Sequence, residues 1–409
     1  MPASTRTAGP STFAALRSRN YCLYWIGLVF YVLGHRAEYV TFAWMTWELT
    51  RDPLHLGYLG LAQGAPMVMF QLLAGVLADR TSRRRLLLVT TTLTSSTLLL
   101  AFGLIVSGVA RVPHLLVLAA LSSSFRAFDE PSRMSLVPQL VDREHLPNAI
   151  ALGSIPWQAG RMIGPSITGI LIAAFGGTVG FGLAAIASCT ALALYSRLDV
   201  QEQLNPRDGR RVLAQLAEGL SFVGHNFVFA SLISLALFNA LFGLSYITLL
   251  PVFADSYFGM GSTGYGLLSA AHGAGSMLGT LIIATTAQRL LRPGVLMLAA
   301  ATCMGVALMV FSRSPNMGFA FPMLSLTGFC STFYLTHVTT IIQTKVPDQL
   351  RGRVLSLYSL CWNLLPLGGL VAGALAAVVD ARFAVLVGGA LVSANALLLA
   401  SSRRLRSIG

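Results

Sequence analysis

The chain reads as an all-α membrane protein with twelve transmembrane helices in two pseudo-symmetric six-helix bundles. Three observations predict this class. Apolar segments long enough to cross a bilayer, about 18 residues or more, recur along the whole length. Charged residues, 11% of the chain against 55% hydrophobic, gather mainly in the short segments between them. The second half also repeats landmarks of the first at a nearly constant offset. No polar block is long enough to form a soluble domain, so the simplest organisation is one polytopic unit.

The apolar segments of the first half fall at 21–48, 54–78, 86–110, 114–137, 148–174 and 179–196. Those of the second fall at 229–256, 262–287, 293–313, 316–342, 353–378 and 383–402. The polar, Arg-bearing start of the chain does not read as a cleaved leader, so the first segment is expected to remain as a helix. Between the second and third segments runs Gly75-Val76-Leu77-Ala78-Asp79-Arg80-Thr81-Ser82-Arg83-Arg84-Arg85. Such a density of charge cannot lie in lipid, so it is expected to be a tight turn. There Gly75 lets neighbouring helices approach, Asp79 sits at a helix end where it can pair with an arginine, and Arg80, Arg83 and Arg84 meet anionic headgroups.

Basic residues fall on one side of the expected topology. Arg80 to Arg85, Arg143, Arg197, Arg289, Arg351 and Arg403 belong to one set of turns, and the other set holds Arg51, Arg111, Arg313 and Arg382. The asymmetry places both termini in the cytoplasm. The formal charge of +13 therefore reflects topology and lipid contact, not nucleic acid. Residues 197–228, with Asn205-Pro206-Arg207-Asp208-Gly209-Arg210, read as a cytoplasmic linker between a bundle at 1–196 and one at 229–409. Within it, 211–224 has the pattern of an interfacial helix.

The repeat is visible residue by residue. A shift of 209 places Gly57 on Gly266, Gln63-Gly64 on His272-Gly273 and Asp79-Arg80 on Gln288-Arg289. A shift of 204 places Leu146 on Leu350, Gly164 on Gly368 and Gly169 on Gly373. Ordered matches at equivalent helices indicate a duplicated six-helix unit, with a site between the halves near mid-bilayer. The halves diverge in charge: where the first has Asp79, the second reads Ala287-Gln288-Arg289-Leu290-Leu291-Arg292.

Charges inside spans cost roughly 2.5–3.5 kcal/mol each on insertion scales, so each needs a reason. They sit in the first half. In the first span His35 and Glu38 share a face while Arg36 points away. Glu38 is then a protonatable carboxylate near mid-membrane. In the fourth span Arg126, Asp129, Glu130 and Arg133 are spaced to lie on one stripe, which predicts an intrahelical ion ladder. This stripe reads either as a self-neutralising structural network or as a second set of proton carriers. Glu38, Asp129 and Glu130 are thus the coupling candidates. His35, Arg36, Arg126, Arg161, Tyr246, Tyr334 and Trp362 are the candidate linings of an amphipathic cavity. In the fifth span Gly160, Gly164 and Gly169 form a smooth packing face, and Pro165 kinks the helix.

The turn at Gly75–Arg85 resembles the signature loop of the major facilitator superfamily, with Ser82 where that pattern has a second Gly. The run from Gly160 to Gly169 resembles the fifth-helix motif of its antiporters. Phe128-Asp129-Glu130-Pro131-Ser132-Arg133, Leu146-Pro147-Asn148-Ala149 and Val346-Pro347-Asp348-Gln349-Leu350-Arg351-Gly352-Arg353 are similar to the branch holding drug, macrolide and siderophore exporters. The resemblance implies export by alternating access. It departs from the branch after Gly34, where His35, Arg36 and Glu38 replace a neutral lining, so a cargo cannot be carried over.

No phosphate-binding Gly-x-x-x-x-Gly-Lys-Ser/Thr loop exists, and histidines and cysteines lack metal-ligand spacing. An enzyme, a cofactor and a metal are therefore not expected. Energy must come from an ion gradient, and protons are favoured because the acids have arginine partners to exchange. The expectation is a monomeric exporter of a small amphipathic compound, working by proton antiport among membrane lipids. Its rivals are a dedicated exporter of an endogenous anionic metabolite such as a siderophore, and a non-transporting sensor or scaffold.

Overall fold

The computed structural model describes residues 13–200, 220–286 and 293–407, without the side chains of 71–73, 75–80, 286 and 348–349. Its helices are α1 (Arg19–Thr50), α2 (Pro53–Arg80), α3 (Arg83–Val106), α4 (Val112–Arg126), α5 (Asp129–Leu140), α6 (Leu146–Phe175) and α7 (Gly177–Tyr195). After the linker come α8 (Phe227–Tyr257), α9 (Gly261–Thr286), α10 (Pro293–Ser312), α11 (Met317–Lys345), α12 (Asp348–Asn363), α13 (Leu365–Val378) and α14 (Ala381–Ala400). No strand occurs among the described residues, and the chain is an all-α membrane protein.

Eight helical segments are long and apolar enough to cross a bilayer: α3, α7, α8, α9, α10, α11, the α12–α13 pair and α14. The twelve-span reading adds α1, α2, the α4–α5 pair and α6. Of these, α1, the α4–α5 pair and α6 carry the internal charges. Helix starts follow capping chemistry: Ser82 accepts from the Arg85 amide at 3.1 Å and Asn316 from that of Phe319 at 3.0 Å.

Two spans are broken, each by a proline just past the break. Pro131 lacks an N–H and its ring crowds the carbonyl four residues back, at Ala127, so α4 stops at Arg126 and α5 restarts at Asp129. Pro366 does the same at Trp362, separating α12 from α13. In α8 the ladder loosens into π turns at Asn239–Gly243 and Phe253–Tyr257.

The helices before residue 196 pack mainly on one another, as do those after 227. The two sets meet chiefly at two helix pairs, α6 with α9 and α2 with α13. Both seams are made by glycines the repeat equates. A Cβ at Gly169 would lie 2.9 Å from Gly266 Cα, and one at Gly373 would lie 3.2 Å from Gly57 Cα. Because Gly57 matches Gly266 and Gly169 matches Gly373, the two contacts are symmetry mates. Backbones this close leave no room for side chains.

The apolar core distinguishes the two faces of the molecule. Toward the face bearing Arg51, one continuous cluster joins both halves, from Phe42 and Leu56 to Phe253 and Ala372. Toward the face where α1 begins, it divides into two clusters. One is built around Tyr21, Leu136 and Tyr195, the other around Leu232, Ile342 and Tyr358. A cavity fills the gap between them.

Candidate functional site

The cavity has a volume of about 830 Å³. It is lined as far as Tyr24, Pro138 and Leu146, close to the face where α1 begins. At the Arg51 face it is closed. There the Arg51 guanidinium, just past the end of α1, pairs with Asp255 of α8, and Trp47 Nε1 donates to Asp255 Oδ2 at 3.1 Å. Arg51 is also the one described non-glycine residue with a left-handed backbone, at φ 52°.

Glu38 and His35, three residues apart on α1, turn to the same side, and Arg126 at the end of α4 reaches both. Its Nη1 donates to Glu38 Oε2 and its Nη2 to Oε1, each at 2.6 Å, while Nη1 lies 2.6 Å from His35 Nδ1. Ser122, one turn earlier on α4, donates to Glu38 Oε1 at 2.6 Å. Glu38 is 1% exposed, so its charge is carried by this fork and hydroxyl instead of by water. Removing one partner of such a pair strands a buried charge, at a cost of roughly 3–5 kcal/mol.

The expected ladder along the fourth span does not form. The break between α4 and α5 turns Arg126 toward α1, leaving Asp129 and Arg133 as a separate pair at 3.4 Å within α5. Asp129 also accepts from Thr90 Oγ1 at 2.6 Å, and Arg133 donates to the Tyr195 hydroxyl at 2.5 Å. The Arg133 guanidinium lies 3.6 Å from the centroid of the Tyr31 ring, a cation–π contact out of water. Glu130 does not join either pair. It is exposed and lines the cavity.

His35, Arg36, Arg126, Arg161 and Trp362 line the cavity, joined by Tyr31, Tyr39 and Trp157. Tyr246 and Tyr334 do not. Tyr246 is 1% exposed with its hydroxyl 2.7 Å from His272 Nδ1. Tyr334, equally buried, donates to the Leu235 carbonyl at 3.2 Å inside the second half. Both rings face inward because their helices bury that side.

The glycine face on α6 serves a purpose that spacing alone does not reveal. A Cβ at Gly164 would lie 2.7 Å from Arg36 Cβ, and one at Gly160 would lie 3.7 Å from Arg36 Cγ, so the stem of Arg36 rests on these glycines. Pro165 and Gly169 face α9. At the charged turn, Arg83 donates to the Ser135 carbonyl at 3.1 Å and Arg84 to that of Ser196 at 2.7 Å, tying it to α5 and α7. The surroundings of Gly75, the side chains of Asp79 and Arg80 and most of the expected interfacial helix at 211–224 lie outside what the structure describes.

Sequence reasoning missed Ser122, Thr90 and the Arg51–Asp255 pair. Ser122 carries a weak signal, one helical turn before an intramembrane arginine. Arg51 and Asp255 carry none, being 204 positions apart.

A family model described as transmembrane secretion effector matches residues 10–408. The chain is 28% identical to the multidrug efflux pump Tap of Mycolicibacterium fortuitum, over 84% of this chain and 86% of that protein. It is 25% identical to the staphyloferrin A transporter of Staphylococcus aureus, over 83% and 85%. It is 28% identical to the enterobactin exporter EntS of Escherichia coli, over 76% and 74%. Among solved structures, a POT family transporter bound to 5-aminolevulinic acid superposes with a TM-score of 0.75 at 11% identity, covering 95% of this chain and 97% of that one. An inward-facing bacterial Spinster homologue gives 0.69 at 17%, covering 95% and 96%. These last two likenesses concern the fold.

Proposed function

The chain belongs to the transmembrane secretion effector family of major facilitator transporters, and from that premise we propose that it exports a small amphipathic organic molecule in exchange for protons. It is a transporter and not an enzyme. In this reading both termini are cytoplasmic, the membrane is the bacterial inner membrane, and the cavity is the cytoplasm-facing state of an alternating-access cycle. Two bundles, before 196 and after 229, rock about the α6–α9 and α2–α13 seams. The efflux pump and the enterobactin exporter to which the chain is similar support the outward direction.

The observation that carries the coupling is the fork of Arg126 on Glu38 beside the cavity. A carboxylate held this way stays ionised while the pair is intact, and protonating it releases a guanidinium. The cycle follows. Facing the cytoplasm, Glu38 is ionised on Arg126 and cargo enters the cavity. After the outer face opens, cargo leaves and a proton neutralises Glu38. Rocking back, Arg126 recaptures the carboxylate and the proton departs inward. Asp129, tied to Arg133 and Thr90, holds the neighbouring helices and serves as the second candidate. The turn from Gly75 to Arg84 acts as the cytoplasmic gate, with Asp79 pairing an arginine when that side closes.

Purified protein in proteoliposomes tests this reading. Accumulation of an amphipathic dye should follow an imposed pH gradient and stop when a protonophore collapses it. Dye movement that ignores the gradient would refute the antiport mechanism.

A further inference from the structure

Arg36 and Arg161 stand apart from the other intramembrane charges. Arg126 and Arg133 each have a carboxylate partner. Arg36 and Arg161 have no hydrogen bond or ion pair among the described residues, although both line the cavity. The Nε of Arg36 is buried without a partner. Arg36 is partly buried and Arg161 exposed, so their charged ends face the cavity without a protein anion, and an anionic ligand would gain charge-assisted hydrogen bonds there.

The two cations share a depth. At about 1.5 Å per residue from the ends of their helices, Arg36 lies about 25 Å from the α1 start and Arg161 about 22 Å from the α6 start. Glu130, the unpaired acid of the lining, lies about 15 Å from the end of α5 and so nearer the mouth. The inner end of the cavity thus holds two uncompensated positive charges. They are neighbours across the α1–α6 contact, because the Arg36 stem rests on Gly160 and Gly164, which flank Arg161 on α6.

The repeat shows that this charge belongs to one wall. Gly368, mate of Gly164, lies against Leu241 as Gly164 lies against Arg36. The shift of 204 places Arg161 on Leu365, which lines the cavity from the second half together with Ile247 and Trp362. Where the first half offers guanidinium groups, the second offers mostly apolar surface, with Thr248 and Asn363 its polar members. Trp157 stands beside Arg36, its ring centroid 6.0 Å from the guanidinium carbon.

Resting on the export reading above, we infer that the cargo is an organic anion: a carboxylate or equivalent oxyanion seated on Arg36 and Arg161, with an apolar or aromatic body directed at Ile247, Trp362 and Leu365. Two guanidinium groups match an oxyanion by forked hydrogen bonding. Anion export against one inward proton moves two net charges, so an inside-negative potential drives it. Export of a monovalent cation against one proton would be electroneutral.

The test uses the full-length protein and three naphthalene probes of one shape: the carboxylate, the neutral carboxamide and the methylammonium. Binding to nanodisc-held transporter should rank the carboxylate first. Arg161→Gln and Arg36→Gln should each weaken it about tenfold or more and leave the carboxamide within about twofold. Arg36→Lys should restore part of the loss, which guards against misfolding as the explanation. In proteoliposomes, carboxylate flux should rise with an imposed potential at fixed pH. Preference for the methylammonium, carboxylate affinity unmoved by both Gln variants, or no binding of any probe at millimolar concentration overturns the inference. Proton-driven transport of the cation would overturn it while leaving antiport standing. Anion binding without any flux would sink the export reading and leave the site assignment intact.

Discussion

Arg126 holds both carboxylate oxygens of Glu38 at 2.6 Å, joining the end of α4 to the middle of α1, and Ser122 adds a hydroxyl to the same carboxylate. Neither residue is neutralised within its own helix, so the pair ties α1 to α4, and in the proposed cycle relative movement of the two helices must break it. A carboxylate that trades a guanidinium for a proton changes the contact that fixes its helix.

Asp255→Asn should loosen the outer closure. The Arg51–Asp255 pair is partly solvated, with Arg51 54% exposed, so it adds at most about 1 kcal/mol to stability. A bias of that size is still enough to shift a conformational equilibrium severalfold. With the native cysteines replaced and Ile247→Cys in the cavity wall, labelling by an outside-added, impermeant maleimide should speed up severalfold in Asp255→Asn. An unchanged rate would mean that the glycine seams alone close this face.

Gly164→Leu should lower stability by about 1–3 kcal/mol through overpacking. The added side chain would strike the stem of Arg36 and push its guanidinium from the cavity wall. Thermal unfolding in detergent and probe binding should therefore fall together. A variant with normal melting and transport would contradict the close packing of α1 on α6.

Tyr334→Phe should leave cargo affinity unchanged, because its hydroxyl serves the Leu235 carbonyl and not the cavity. The expected loss is about 1 kcal/mol of stability, the worth of one buried hydrogen bond. A substantial change in binding constant would return Tyr334 to the lining.

Asp79→Asn should slow turnover while leaving membrane insertion intact, as a surface-proximal pair contributes little to folding. Transport assays on vesicles matched for protein content decide it. Undiminished turnover removes Asp79 from the gate.

Much of the architecture was legible because lipid imposes it. The apolar segment expected at 229–256 is α8 (Phe227–Tyr257), and that at 148–174 is α6 (Leu146–Phe175). The glycine matches at Gly57, Gly169, Gly266 and Gly373 also proved to be contacts, since only near-absent side chains allow that approach. The charge pattern was harder. Ideal helical spacing put Arg126 in register with Asp129, and Pro131 abolishes that register, handing Arg126 to Glu38. Aromatic identity could not say which way a ring points, so Tyr246 and Tyr334 were drawn to the cavity while their hydroxyls bond inside the second half. The Arg51–Asp255 closure depends on how the halves meet, which no local pattern encodes.

The most direct test of the coupling claim is pH-gradient-driven cargo flux by Glu38→Gln and Asp129→Asn side by side in proteoliposomes. Glu38→Gln should lose gradient-driven flux and retain cargo binding and passive exchange, while Asp129→Asn keeps measurable coupling. Gradient-driven flux that survives Glu38→Gln and vanishes in Asp129→Asn would move the proton site to α5 and leave the Glu38–Arg126 pair a structural clasp.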